Sequence, residues 1–379
     1  MDFNLTPEQE MFREAVADFV NKEIAPVAQE IDERGVFPME LFKRIGELGY
    51  YAMRYPEEYG GISADLVTFC IFLEEMARGS MSVAANTAMQ CLMGTHFIYK
   101  LGNEEHKERL LKPALKGERI GSIAFTEPNA GSDLGAITTR AVRDGDHYIL
   151  NGQKTWLTSG TLADFVTVIA RAKEGKGLRG LALFLVERGT PGFNVGKSIP
   201  KLGTRAQECT DLSLDNCRIP KENLLGDEES GYEYIREILN EIRIITGALS
   251  IGLARAALDS SLQYAKERVA FGRPIIKHQA IAFKLADMAT ELEAAKRLVY
   301  YSAWRNDQGL PNAKESAMAK LFASEVACKC ADEATRIFAS YGFAMEYPAQ
   351  RYFRDARFLL YGGGTSEILR VIISRELEE

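Results

Sequence analysis

Several short segments combine residue types that could bind or react with a small molecule. The segment Phe125-Thr126-Glu127-Pro128-Asn129-Ala130-Gly131-Ser132-Asp133 brings together hydroxyls, free backbone N–H groups and small residues. Such a loop suits the edge of a heteroaromatic ring or a phosphate, and by composition it reads equally well as an ordinary turn. Lys154-Thr155-Trp156-Leu157-Thr158-Ser159-Gly160 puts a tryptophan between two threonines near a strand end, where it could serve the core or wall a cofactor. Arg268 and Arg243 are cations that could meet phosphates, or could sit in solvent or in an ion pair with a neighbour such as Glu241. None of the six cysteines forms a C-x-x-C, and His96, His106, His147 and His278 lack ligand spacing, so no metal site is expected.

The elements that must carry these segments fall into three stretches, expected as 1–120, 121–228 and 229–379. In the first, Phe12, Val16, Phe19 and Val20 recur at helical spacing behind Thr6-Pro7-Glu8-Gln9, which reads as an N-cap followed by proline at the first helical position. Pro56 to Gly61 reads as a loop, with a helical pattern resuming at Ser63 or Ala64, and Glu104 to Arg109 reads as a solvated helical face. The middle stretch is rich in β-branched and aromatic residues, with Phe165–Ala170 and Leu181–Val186 of strand length and turns about every ten residues; a small antiparallel barrel or sandwich is expected. The helical period then returns, with Ile281, Leu285, Met288, Leu292 and Ala295 repeating at 4, 3, 4, 3 as in a bundle.

Composition fits that outline. The 379 residues are 46% hydrophobic and 26% charged, which argues for a folded chain and against disorder or a fibrous repeat. With 46 basic and 53 acidic residues the net charge is −7, so no basic surface is expected to draw nucleic acid or anionic lipid. The polar start MDFNLTPEQE has no signal-peptide character, the apolar runs are too short or too broken by charge to span a bilayer, and scattered cysteines suit a cytoplasmic protein.

Taken together, T-E-P-x-A-G-S-D followed about twenty residues later by N-G-x-K-x-W-x-T resembles the flavin-embracing β-domain of the acyl-CoA dehydrogenase family. The resemblance continues through Arg268-Val269-Ala270-Phe271-Gly272-Arg273-Pro274-Ile275, Gln279, Glu346-Tyr347-Pro348, Arg354-Asp355-Ala356-Arg357 and Gly364-Thr365-Ser366-Glu367-Ile368, in family order over essentially the whole chain. It implies an α+β acyl-CoA dehydrogenase fold: an N-terminal helical domain, a middle β-barrel domain and a C-terminal four-helix bundle. It also implies FAD as cofactor, an acyl-CoA thioester as substrate, a homotetramer, and electron-transferring flavoprotein as redox partner.

Laid on residues, the resemblance puts Phe125, Thr126, Trp156 and Thr158 around the isoalloxazine, with Ser132 at the flavin and the coenzyme A arm. Arg268, Phe271, Gln279, Arg336, Ser340 and Gly342 would hold the pyrophosphate and adenosine across a subunit contact, and Thr365 and Glu367 would lie near the flavin. Leu239, Asn240 and Arg243 would face the coenzyme A arm. Thr87, Gln90, Cys91 and Gly94 would line the acyl pocket with Gly362, Gly363 and Gly364. The thioester carbonyl would be polarised by the Glu367 backbone N–H and the FAD ribityl 2′-hydroxyl.

Two departures stand out. In the family ending Y-E-G-T-x-E the first glutamate is the base that takes the α-proton. Aligning Arg354-Asp355-Ala356-Arg357 and Gly364-Thr365-Ser366-Glu367 without a gap puts Gly362 at the tyrosine and Gly363 at the base. A second branch carries its base just before the arginine matching Arg243, and here that residue is Ile242. General-base assistance is worth roughly 10²–10⁴ in rate, so its loss points to unusual chemistry. A cyclic thioester of the cyclohexane- or cyclohexene-carboxyl type is expected, with Cys91 as the titratable candidate in the acyl pocket. The alternatives are a reductase similar to crotonobetainyl-CoA reductase, an ordinary short- or medium-chain dehydrogenase, and a flavoprotein that has abandoned the thioester. The second departure is Ala339-Ser340 where the family usually has two glycines, with Arg336 where glutamine is common.

Overall fold

A computed structural model describes residues 4–175, 177–229 and 231–378. The first helix, α1 (Pro7–Phe19), opens with the expected cap: the Gln9 N–H donates to Thr6 Oγ1 at 3.2 Å and the Thr6 N–H to Gln9 Oε1 at 3.1 Å. Two of the four N–H groups that a helix start leaves orphaned are met in this reciprocal way. After the loop around Gly60, Asp65 caps α2 (Leu66–Gly79), accepting from the Thr68 N–H at 2.7 Å, and α3 (Met81–Ala88) follows with all of its residues buried. Glu104 to Arg109 is helical as expected, though His106 points inward and is buried.

Among the described residues the middle of the chain forms eight strands: β1 (Gly121–Ala124), β2 (Arg140–Asp144), β3 (His147–Thr158), β4 (Phe165–Arg171), β5 (Leu181–Glu187), β6 (Phe193–Ser198), β7 (Cys209–Pro220) and β8 (Leu224–Leu225). Their order is β6-β7-β3-β2-β4-β5-β8, with β1 added against β4. The β4 and β5 runs are buried on both faces, which is why they read as continuous apolar segments rather than alternating ones. The sheet is not wholly antiparallel as expected: β1 runs parallel to β4, and Arg140 of β2 bridges Arg171 of β4 in parallel. A parallel pair needs a crossover rather than a hairpin, and the long excursion between β1 and β4 supplies it.

The C-terminal part is built on α4 (Gly231–Glu267), α5 (Gln279–Asp307) and α6 (Ala313–Phe338), followed by α7 (Pro348–Leu359) and α8 (Ser366–Glu378). The stripe read from α5 faces inward, with Leu285, Met288 and Ala295 buried and Ile281 and Leu292 half-buried.

The three parts are tied at points that also set the site. Gly94, after α3, crosses β1 so closely that a Cβ there would lie 2.4 Å from the Gly121 carbonyl oxygen. Glycine at 94 therefore answers a packing demand. The Arg354-Asp355 pair on α7 is architectural: Arg354 pairs with buried Asp32, and Asp355 accepts from the Thr204 N–H at 2.6 Å. Burial pushes the Asp355 carboxyl up to about 6.

Candidate active site

The T-E-P turn and the K-x-W strand are locked together by a buried ion pair. Lys154 Nζ lies 2.9 Å from Glu127 Oε1, with both side chains buried, and also donates to the Phe125 carbonyl at 3.1 Å. Glu127 further accepts from the Thr138 N–H and hydroxyl at 2.8 Å each and from the Thr139 N–H at 2.9 Å. Burial alone would raise the Glu127 carboxyl, but hydrogen bonds from Thr139, Lys154 and Thr138 outweigh it and bring it down to about 2. Burial brings the Lys154 ammonium down to about 8 against the pull of Glu127. The Thr155 N–H then donates to the Thr126 carbonyl at 2.9 Å, setting the two motifs edge to edge.

On top of that base, Trp156 is displayed rather than buried. It is 55% exposed and held at φ +59°, a left-handed conformation that a bulky residue adopts only when its surroundings impose it. Phe125 and Thr126 are half-buried beside it, Ser132 is exposed, and Thr158 is buried with its carbonyl accepting from Ser122 Oγ at 2.6 Å. A rigid, partly apolar platform with an outward indole fits a planar heteroaromatic group.

The second cluster lies at the far end of the bundle. Arg268 is exposed and stands over the Tyr341 ring at 5.9 Å; Phe271 is almost wholly exposed; Gln279 opens α5 on the surface. Arg336, expected as an added phosphate contact, pairs with Asp332 at 2.7 Å. Ala339 sits at φ +53°, ψ −130°, backbone space natural to glycine, which accounts for glycine being usual there. Ser340 is exposed and Gly342 buried on the turn that follows.

The third cluster surrounds the glycine run between α7 and α8. Gly363 has φ +73°, and a Cβ built on it would lie 3.4 Å from Ile242 Cγ2 and 3.2 Å from Thr246 Oγ1. Gly363 and Ile242, far apart in the chain, thus face the same point. The Thr246 hydroxyl is already used, donating to the Ile242 carbonyl at 2.7 Å. Glu241 turns away to pair with Arg54 at 2.6 Å; burial would raise its carboxyl, and Arg54 carries it below the usual range.

Arg243 does not pair with Glu241. Its Nη1 donates to Asn240 Oδ1 at 2.8 Å, while its Nε is buried with no hydrogen-bond partner among the described residues. Burial brings the guanidinium down to about 10. Lys320 of α6, fully buried, donates to the carbonyls of Leu360 at 3.3 Å and Gly364 at 2.6 Å, and burial brings it down to about 8. Thr365 Oγ1 accepts from the Ile368 N–H at 3.3 Å, and Glu367 occupies the first turn of α8, where backbone N–H groups have no intrahelical acceptor. Gly362, Gly363 and Gly364 are half-buried, as are Leu239 and Asn240.

Of the expected acyl-pocket residues, Gln90 and Cys91 make contacts to backbone groups around them. Thr87 is buried. Gln90 spends its amide on the Ala114 and Arg119 carbonyls, both at 2.8 Å, and its carbonyl on the Gly121 N–H at 3.1 Å. Cys91 is buried with its thiol toward the Tyr50 carbonyl at 3.6 Å, and burial pushes its pKa far up. A thiol so placed stays protonated, which argues against the catalytic part expected of it.

Sequence reasoning passed over Lys154 and Glu127, although both lie inside the quoted motifs, and over Lys320. The signal for Lys320 was its register: Ser316, Ala323 and Ala327 mark the buried small-residue stripe of α6, and Lys320 falls on it.

A helical–β–helical chain with an exposed tryptophan platform on its sheet is the frame of a flavin-dependent oxidoreductase acting on CH–CH groups. The chain belongs to the acyl-CoA dehydrogenase family: the models of its N-terminal, middle and C-terminal domains match residues 6–118, 122–217 and 229–378. A benzylmalonyl-CoA dehydrogenase of Aromatoleum aromaticum is 53% identical over 378 residues, with 100% of each chain covered. The butyryl-CoA dehydrogenase structure from Megasphaera elsdenii superposes with a TM-score of 0.96 at 36% identity, covering 100% of both chains. A structure of PigA with FAD and proline matches with a TM-score of 0.96 at 28% identity, covering 100% of this chain and 99% of that one. No helix among the described residues is long and apolar enough to cross a membrane.

Proposed function

We propose that this chain oxidises a malonyl-type acyl-CoA, one with a carboxylate on the carbon next to the thioester, and releases CO2 in place of proton abstraction by a protein base. One observation carries the reading: where the resemblance implies a base, Gly363 and Ile242 meet with no carboxylate of their own. The relative at 53% identity supports it, because the thioester in its name bears such a carboxylate.

FAD, when bound by Phe125, Thr126, Trp156 and Thr158 with Arg268, Phe271, Gln279 and the Arg336–Gly342 turn, supplies the acceptor for a hydride from the β-carbon. The chain's own residues set up the other half. When the C–CO2 bond breaks, its electron pair remains on the α-carbon and spreads to the thioester oxygen, so no proton need leave that carbon. The Glu367 backbone N–H, in the first turn of α8, would stabilise that oxygen. Glycine at 362 and 363 leaves room for the carboxylate that a glutamate would displace. The product is the α,β-unsaturated thioester.

The exposed Phe271, Phe343 and Val269 support a homotetramer in which a neighbour covers this face and Arg268 reaches that neighbour's cofactor. Electron-transferring flavoprotein is the proposed acceptor, and six free cysteines suit the cytoplasm. Anaerobic titration of the holoenzyme with benzylmalonyl-CoA and with 3-phenylpropionyl-CoA, its counterpart without the carboxylate, tests the reading. Flavin bleaching by the carboxylated ester alone is expected. Comparable bleaching by the plain ester, or by butyryl-CoA or a cyclohexane-carboxyl thioester, would contradict it and restore the ordinary or alicyclic readings.

A further inference from the structure

We infer that Arg243 is the group that reads the substrate's α-carboxylate, with Lys320 setting the loop and the field around it; this rests on the malonyl-type reading. Arg243 follows Ile242 on α4, and Ile242 faces the vacant side of Gly363. Lys320 holds the same loop through the Leu360 and Gly364 carbonyls. Among the described residues neither cation has a carboxylate within ion-pair distance, and Arg243 Nε is buried with its donor unused. Three other cations of the interior do meet a carboxylate, Arg54 with Glu241, Lys154 with Glu127 and Arg354 with Asp32, whereas buried Arg351 donates to Gln29 Oε1 at 3.1 Å.

A buried charge left uncompensated is strongly unfavourable, and its usual remedy is an anion. A carboxylate against Gly363 supplies one, and the unused Nε–H is a donor that a carboxylate oxygen accepts from. Such a contact binds the ground state, because the negative charge leaves the carboxylate as CO2 forms. Arg243 therefore contributes to affinity for the carboxylated ester more than to the bond-breaking step. The resemblance instead placed Arg243 on the coenzyme A arm, and the two roles give different results.

The test is calorimetric titration of anaerobic, FAD-loaded Arg243→Met and Arg243→Lys with benzylmalonyl-CoA and 3-phenylpropionyl-CoA, beside single-turnover rates at saturation. Melting temperature and FAD content serve as folding controls. Arg243→Met is expected to raise Kd for the carboxylated ester at least about tenfold and that for the plain ester less than about threefold. Its saturated rate of CO2 release should fall far less than its affinity, and Arg243→Lys should recover part of the binding. Equal loss on both esters would overturn the proposal and return Arg243 to the coenzyme A arm. A Kd unchanged for both, or an unfolded Arg243→Met with a folded Arg243→Lys that binds as wild type, would also overturn it. If the wild type itself releases no CO2, the malonyl-type reading fails first and this inference falls with it; if it does, only the role of Arg243 is at stake.

Discussion

The tryptophan platform and the glycine loop treat buried charge in opposite ways. Under the platform, Lys154 is matched by Glu127, and Glu127 by three further donors, so the region is electrostatically complete without a ligand. At the glycine loop, Lys320 is buried and Arg243 half-buried with its Nε inside, and among the described residues only neutral oxygens meet them. The first arrangement builds a rigid surface; the second leaves a deficit of negative charge beside the glycine loop. Rigidity is wanted where a cofactor stays bound through many turnovers, and a deficit is useful where an anionic substrate must come and go.

The strongest way to break this contrast is Gly363→Glu, which puts a carboxylate into the deficit. Turnover of the carboxylated ester should collapse, while α,β-oxidation of 3-phenylpropionyl-CoA should rise, up to about 10²–10⁴-fold for a well-placed base. The gain is reduced because φ +73° at this position disfavours a side chain, by about 1–3 kcal/mol. Stopped-flow bleaching with both esters reads it, and no gain with an ester that still binds would count against a missing base.

Next comes the pairing itself. Lys154→Met strands a buried carboxylate and should destabilise by about 3–5 kcal/mol with loss of FAD, whereas Lys154→Met with Glu127→Gln should recover much of it. Lys320→Met strands only carbonyls and should lose about 1–3 kcal/mol. Denaturant melts of the three variants would erase the distinction if Lys320→Met proved as damaging as Lys154→Met.

Much of this was legible in the chain, for physical reasons. Thr6 and Gln9, the α5 stripe and the β4 and β5 runs are local patterns, and each forms as read. The flavin motifs were legible as residues but not as a mechanism, since an ion pair across 27 positions cannot be seen in either segment alone. The parallel β1–β4 pairing and the meeting of Gly363 with Ile242 depend on long-range topology, which no local period encodes. The partners of Gln90 and Cys91 are backbone groups of distant segments, which no reading of their own helix reveals.

Acid sharpens the same comparison more gently. The Glu127 carboxyl is held at about 2, below its usual 4.5, so the stability it confers is complete above 4.5 and is lost as pH falls toward 2. FAD retention in wild type should weaken across that window, and Glu127→Gln should flatten the dependence. The smallest effect is expected from Cys91→Ala, which should leave turnover and its pH profile unchanged; a shifted profile would reinstate the thiol as an acid–base group.

The proposed reaction turns on where the electron pair comes from. A single turnover of the holoenzyme with benzylmalonyl-CoA labelled in its free carboxylate, with CO2 counted against flavin reduced, measures it. One labelled CO2 for each flavin bleached is expected; bleaching that leaves the label in the thioester product would show that a proton, taken by some residue of this chain, had left instead.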